Sequence, residues 1–432
     1  MARFFTLRRF HLFAALIIAA SILVVYSNSF NAAFQYDDNP QIVDNYALKD
    51  LKNIPALLKG PRGITLATFA INYAVGGTNV LGYHIVNTAI HILASIAVYF
   101  FVFQTILLVK GCATAAKRVG FFSAMIFALH PVQTQAVTYI VQRMEALSSL
   151  FYVLALIFFI KGAKAATPGK RWASYALVAV SFILGFYSKE SAFTLPAMVL
   201  LYDFSFLAKG RLSGMLGRWP VYAVLAALFI FFAVNTIMPL GGFGDLSAES
   251  AVGEVSESAV KGAAPIVTPK EASAGFKVTY ITPKEYLFTQ FNVLIYYIAL
   301  LAVPMYQNLD YDIPRAEGLF TAPHVNAGTK LLLPMPPPFV SLIVLAAIAG
   351  AALYLIKRTQ SNPSSLWRVM GFFVLWYFII LSPTSSFIPI IDVIYEHRVY
   401  LPSLGFFVSF VLLVDRLLGK GKAGRIEGGR GE

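Results

Sequence analysis

Ten stretches of this chain are apolar for long enough, or nearly so, to cross a lipid bilayer, and short basic clusters punctuate them. They lie at about 10–30, 79–109, 119–136, 146–160, 172–187, 191–207, 219–238, 338–356, 367–381 and 399–418. A bilayer core takes about 20 apolar helical residues, and tilt or local thinning accommodates a shorter run. In lipid the backbone must satisfy its own hydrogen bonds, so such a chain folds as a helical bundle. Composition agrees, with 58% hydrophobic and only 13% charged residues, where a soluble domain has about a quarter charged. The expected fold class is an all-α membrane protein, a polytopic helical bundle of about ten transmembrane helices. An eleventh stretch, 286–303, is borderline and leaves eleven or twelve open.

Lys and Arg retained on the cytoplasmic side set the orientation. With 286–303 read as re-entrant or interfacial, both termini are inside. The inner segments 1–9, 110–118, 161–171, 209–218, 357–368 and 416–432 then hold 21 of the 34 Lys and Arg. Counting 286–303 as a simple span would put Lys357, Arg358 and the tail outside. The same assignment sorts the acidic residues, which it did not use: 17 of 21 Asp and Glu fall outside, the exceptions being Asp203, Asp415, Glu427 and Glu432. Chemistry is therefore expected at the outer face, on the loops 31–78 and 239–337.

Arg3, Arg8 and Arg9 precede the first apolar run, which is longer than a secretory signal core and reads as an uncleaved first span. The net charge of +13 comes from scattered clusters, which suit anionic lipid headgroups and exclude a nucleic-acid groove. One cysteine, Cys112, excludes an internal disulfide or a thiolate metal cluster. Residues 1–418 form one membrane domain, followed by a polar tail, 419–432, expected to be disordered. The Gly-, Ala-, Ser- and Glu-rich stretch 241–265 is expected to be mobile. In the first outer loop YALKDLKNIPALLKG is amphipathic and suited to the membrane surface.

Five polar clusters fall on the outer side. Asp37 and Asp38 follow the first span; such a pair can accept a proton, hold a cation or cap a helix end. His130, Arg143 and Glu145 sit in HPVQTQAVTYIVQRME, where a phosphate could meet a guanidinium and helix-start amides; an Arg–Glu surface pair with a capping His130 is the alternative. Lys189 and Glu190 form a hairpin, with Glu190 either the partner of Lys189 or bystander to a bound anion. Asp310 and Asp312 alternate in NLDYDIP without the glycine and glutamate of a Ca²⁺ loop. Glu396, His397 and Arg398 stand together at the mouth of the last span, where charge is costly unless paired or ligand-bound. His84 and His91, within the second span, read as helix-packing groups.

In order, FQYDDNPQIVDN, FALHPVQTQAVTYIVQRMEALS, YSKES, TQFNVLIYYIALLAVPMYQNLDYDIP and SSFIPIIDVIYEHRVYLPSLGF resemble the membrane domain of bacterial relatives of the transmembrane-and-tetratricopeptide-repeat O-mannosyltransferases. That family belongs to the C-type (GT-C) glycosyltransferase superfamily. The resemblance covers about residues 10–418. It implies an inverting transferase, with a polyprenyl-phosphate-linked sugar as donor and a protein or glycan hydroxyl as acceptor. It also implies a multi-pass protein of the bacterial inner membrane with its site on the extracytoplasmic face. The first-loop acid, catalytic in the superfamily, matches Asp37 and Asp38. Substrate-binding elements match His130, Arg143, Glu145, Lys189, Glu190, Asp310, Asp312, Glu396, His397 and Arg398. The family's tetratricopeptide repeats follow its last span, where here a short polar tail stands, so acceptor choice is open. No cofactor is expected with certainty; Asp37, Asp38, Asp310 and Glu145 could share a divalent cation. A transporter or flippase of lipid-linked glycans would need charges along a path through the bilayer, and a scaffold would need no outer clusters; neither fits the charge pattern.

Overall fold

The computed structural model describes residues 2–237, 274–275, 278–326, 328–362 and 364–427. The stretch 241–265 and residues 428–432 lie outside them. Among the described residues the regular structure is helical, with one isolated bridge between Ala274 and Ile390.

The helices are α1 (Ala2–Val25), α2 (Ile54–Leu57), α3 (Gly63–Gly76), α4 (Val80–Lys110), α5 (Ala113–Leu129), α6 (Thr134–Thr138) and α7 (Arg143–Ala163). They continue with α8 (Pro168–Ser188), α9 (Leu195–Tyr202), α10 (Trp219–Phe232), α11 (Pro283–Ala302), α12 (Pro338–Arg358), α13 (Leu366–Leu381) and α14 (Ser403–Glu427). Each of the ten apolar segments overlaps at least one of them. Six stretches are long and apolar enough to span: Arg8–Val25, Val80–Lys110, Ile140–Ala163, Leu212–Asn235, Pro283–Ala302 and Pro338–Arg358. The chain is an all-α polytopic membrane protein. Its polar tail begins as a continuation of α14 through Glu427, where disorder was expected.

Local chemistry sets the helix ends. Asn79 accepts from the Leu81 amide at 3.0 Å to start α4, and Gly111, at φ +64°, ends it in the left-handed region that glycine adopts readily. Thr282 and Glu285 close a reciprocal capping box over α11.

The centre of the bundle is α7, which packs on α4 and α8, while α12, α13 and α14 form a second block. Peripheral helices expose apolar side chains, among them Leu12 and Leu16 on α1 and Ile343 on α12; lipid is their natural solvent. Within the second block backbones touch through glycine. A Cβ on Gly371 would sit 2.7 Å from the Ala352 carbonyl, and one on Gly405 would collide with the Phe373 carbonyl. Small residues at such crossings let membrane helices approach closely.

The two ends of the bundle differ. At one, Arg118 meets Asp415 at 2.5 Å, Arg218 meets Asp203 at 2.5 Å, and Arg368 donates to the Ser205 and Thr359 carbonyls. Asp203 and Asp415, described exceptions to the acidic sorting, are thus each paired with an arginine. The other end gathers the five polar clusters.

Two elements at that end depart from the sequence reading. Loop 31–78 contains α3, whose Leu66, Phe69 and Ala70 pack against Ile42, Leu48, Leu57, Tyr83 and Met144. The amphipathic stretch before it breaks into short turns capped by Asn45 and Asp50, burying Leu48 and Leu57 under α3. Along α11, Tyr286 donates to Thr384 O, Gln290 to Val393 O, Asn292 to Pro336 O and Tyr297 to Tyr395 O. Along Tyr286–Tyr297, α11 is thus bonded to the segments that precede α12 and α14, although its length and composition would allow it to cross.

Candidate functional site

Asp38 anchors the first loop. It is 1% exposed, and its carboxylate accepts the Val141 amide at 2.7 Å and the Gln35 amide at 3.0 Å. Burial pushes its pKa up to about 6, against the pull of those amides, and the neighbouring Asp37 adds to the rise. Asp37 itself is exposed, and its amide donates to Tyr139 Oη at 2.9 Å. Tyr36, just ahead of the pair, adopts φ +38°.

His130 caps the turn Pro131–Gln133, its Nδ1 accepting the Val132 amide at 3.2 Å, and its ring packs on Phe407. Arg143 is fully buried and makes no pair with Glu145. Its guanidinium donates to Asn87 Oδ1 at 2.6 Å, Thr68 Oγ1 at 3.1 Å and Tyr83 O at 3.1 Å, over the face of Phe69. Glu145 instead takes Lys189 at 2.8 Å. Glu190 is held by Arg62, with Nε and Nη2 both donating at 3.2–3.3 Å.

Glu396 is buried and ties the fourth cluster to the fifth. It accepts from Gln307 Nε2 at 2.6 Å, the Asn308 amide at 3.0 Å and, very closely, the Tyr311 hydroxyl. Burial raises its pKa, and those donors oppose the rise. His397 receives its bearings from Gln135, whose Oε1 accepts the His397 amide at 2.6 Å and lies 3.1 Å from Nδ1. Gln135 Nε2 donates onward to Leu309 O at 3.1 Å. Burial keeps His397 neutral, and the charges of Lys189, Arg398 and Arg62 push its pKa down further. Arg398 is half-buried, donating to the Asp392 and Val393 carbonyls. Asp310 and Asp312 are exposed, Asp312 accepting Thr329 Oγ1 at 3.1 Å.

Direct bonds therefore join all five clusters. The structure adds two residues that the sequence reading passed over. Gln135 bolts three segments together; the polar VQTQ within an apolar run was its signal. Arg62 closes the pair with Glu190; like Lys189, it is a basic residue on the acidic side, and that was the signal for it. Among the described residues no group of three or more His, Cys, Asp or Glu is placed to hold a metal ion, so Asp37, Asp38, Asp310 and Glu145 do not come together as one cation site.

No family model matches the chain, and no solved structure matches it. Curated proteins do. The chain is 27% identical over 216 residues to the mouse protein O-mannosyl-transferase TMTC3, covering 46% of this chain and 22% of that protein. It is 32% identical over 212 residues to human protein O-mannosyl-transferase TMTC2, covering 44% and 24%. For human protein O-mannosyl-transferase TMTC4 the figures are 27% over 222 residues, 45% and 30%. The chain thus spans about a quarter of the length of the curated relatives it matches. Over just under half of its own length, this membrane protein is similar to the TMTC O-mannosyl-transferases.

Proposed function

We propose that this protein is a C-type glycosyltransferase that moves a sugar, mannose-like by kinship, from a polyprenyl-phosphate carrier to an acceptor hydroxyl. The observation that carries the reading is the joining of the first-loop acids to the cation-bearing segments at one end of a membrane bundle. The inside bias of Lys and Arg assigns that end to the extracytoplasmic face, in a bacterial inner membrane with both termini inside. Asp37, exposed at the surface, takes the proton of the acceptor hydroxyl. The acceptor oxygen attacks the anomeric carbon as the carbon–oxygen bond to phosphate breaks, inverting configuration and releasing polyprenyl phosphate. Asp38, fixed by two amides, holds the loop that carries Asp37. Arg398 and Lys189 face the departing phosphate and stabilise its charge. Arg143 and His130 set the helix starts behind them, Glu145 and Glu190 place the cations, and Glu396 and His397 fix the loop bearing Asp310 and Asp312, which borders the acceptor.

The reconstituted protein in liposomes, given labelled polyprenyl-phosphate mannose and an acceptor, should transfer the label. Asp37→Asn should abolish transfer while donor binding persists. Translocation of the lipid without transfer would establish a flippase instead, and full transfer by Asp37→Asn would remove the base.

A further inference from the structure

We propose that Arg62 is an additional ligand of the donor phosphate, held ready by Glu190 and exchanged from that carboxylate onto the phosphate when the donor binds. The inference rests on the donor class proposed above and assigns a task to a residue that the motif comparison did not reach.

Three observations carry it. First, the fork of Arg62 already makes the two-pronged contact, Nε and Nη2 on one carboxylate, that a phosphate would accept equally well. Second, the neighbouring pairs differ in how open they are. Glu145, which holds Lys189, is 4% exposed; Glu190, which holds Arg62, is 15% exposed and lies at the edge of the cluster. An incoming anion can displace the outer carboxylate while the inner one keeps Lys189 in place. Third, Arg62 adopts φ +56°, a left-handed conformation that costs a residue with a side chain about 1 kcal/mol or more. Glycines stand at 60 and 63, yet the strained position is an arginine. Gly63 serves a close approach instead, since a Cβ there would collide with the Leu57 carbonyl. Backbone strain kept under a charged side chain points to use of that side chain.

Arg62 also stands within the field of the other candidates. Its charge depresses the pKa of Lys189, after burial and the counter-effect of Glu145, and it contributes to the depression at His397. Four ionised groups at the edge of a bilayer are a poor source of stability compared with apolar packing. A purely structural pair is therefore the less economical explanation, and the two explanations predict opposite behaviour.

The test is binding of farnesyl monophosphate to the full chain in detergent, with inorganic phosphate as the headgroup-only control, for wild type, Arg62→Ala, Glu190→Gln and the double variant. Arg62→Ala should weaken farnesyl monophosphate about tenfold or more. Glu190→Gln should tighten it several-fold, because the competing carboxylate is gone, and the double variant should behave as Arg62→Ala. If Glu190→Gln weakens binding as Arg62→Ala does, the pair is structural and the proposal falls. Unchanged binding in Arg62→Ala also overturns it, while leaving the donor class intact. A wild type blind to the lipid phosphate would instead overturn the donor class and the inference with it. Should Arg62→Ala fail to fold, the sign of the Glu190→Gln effect still decides.

Discussion

Replacing Asp38 by Asn should remove a defined slice of the protein's pH-dependent stability. Asp38 ionises at about 6 in the folded chain, against an ordinary value of 3.8. The folded state therefore holds the proton more tightly than the unfolded state. The stabilising contribution is complete below pH ~3.8, declines as pH rises, and is gone above ~6, with slope set by the difference in bound protons. A separation of about two units corresponds to about 3 kcal/mol. The two amides that Asp38 accepts, from Val141 and Gln35, keep the separation from being larger. Asn carries no proton to titrate. Unfolding by SDS titration in mixed micelles, run on wild type and Asp38→Asn from pH 3.5 to 7.5, isolates the residue by difference. Wild type should lose about 3 kcal/mol relative to the variant across that interval. A flat difference, or one in which wild type gains on the variant with rising pH, would refute the burial of an ionisable carboxylate at this position.

Other outcomes follow from the same contacts. Gln135→Ala should cut transfer strongly and cost about 1–3 kcal/mol, since the His397 amide and the Leu309 carbonyl lose their shared partner; activity and thermal unfolding report both. Arg143→Ala should destabilise by a similar ~1–3 kcal/mol, because Asn87, Thr68 and Tyr83 O are left with unpaired acceptors, and folded yield in detergent measures it. Gly405→Val should cost roughly 1–3 kcal/mol through the clash with the Phe373 carbonyl, again visible as a fall in unfolding midpoint. Arg398→Ala should weaken polyprenyl phosphate binding in a competition assay while the protein stays folded, since its carbonyl partners lie in the exposed-to-half-buried 392–393 turn.

The helices were legible because lipid demands apolar length: each of the ten segments is largely helical, and five of them are among the six described stretches long and apolar enough to cross, the sixth being Pro283–Ala302. Of the exceptions to the acidic sorting, Asp203 and Asp415 are paired with arginines at the end opposite the five clusters. Partner choice was not legible. Glu145 lies two residues from Arg143 in sequence, yet successive helical positions do not face one another, and Glu145 meets Lys189 across α7 and α8 instead. Arg143 turns inward to neutral acceptors on α3 and α4, which no local pattern announces. The helix α3 was missed because at 14 residues it is too short for a span, and its burial depends on Ile42, Leu48 and Tyr83 folding over it. Gln135 carried only the weak signal of a polar run, VQTQ, and its bonds to His397 and Leu309, more than 170 residues away, are set by the fold.

The glycine crossings of α12, α13 and α14 give the site a stiff wall and a yielding one. Where Gly371 and Gly405 bring backbone against backbone, each glycine lies against a carbonyl of the neighbouring helix and leaves little room for sliding. The Glu396–Arg398 turn, seated just ahead of α14, inherits that stiffness and serves as a fixed jig. On the facing side, loop 31–62 is held by the packing of Ile42, Leu48 and Leu57 and by side-chain bonds from Asp38, Arg62 and Tyr139, and the bonds can be traded one for another. For the lipid-borne donor proposed above, entry is therefore expected to displace the bonded part of the first loop while the jig holds still. A spin label on the first loop should broaden or shift on ligand addition when one beside α14 does not.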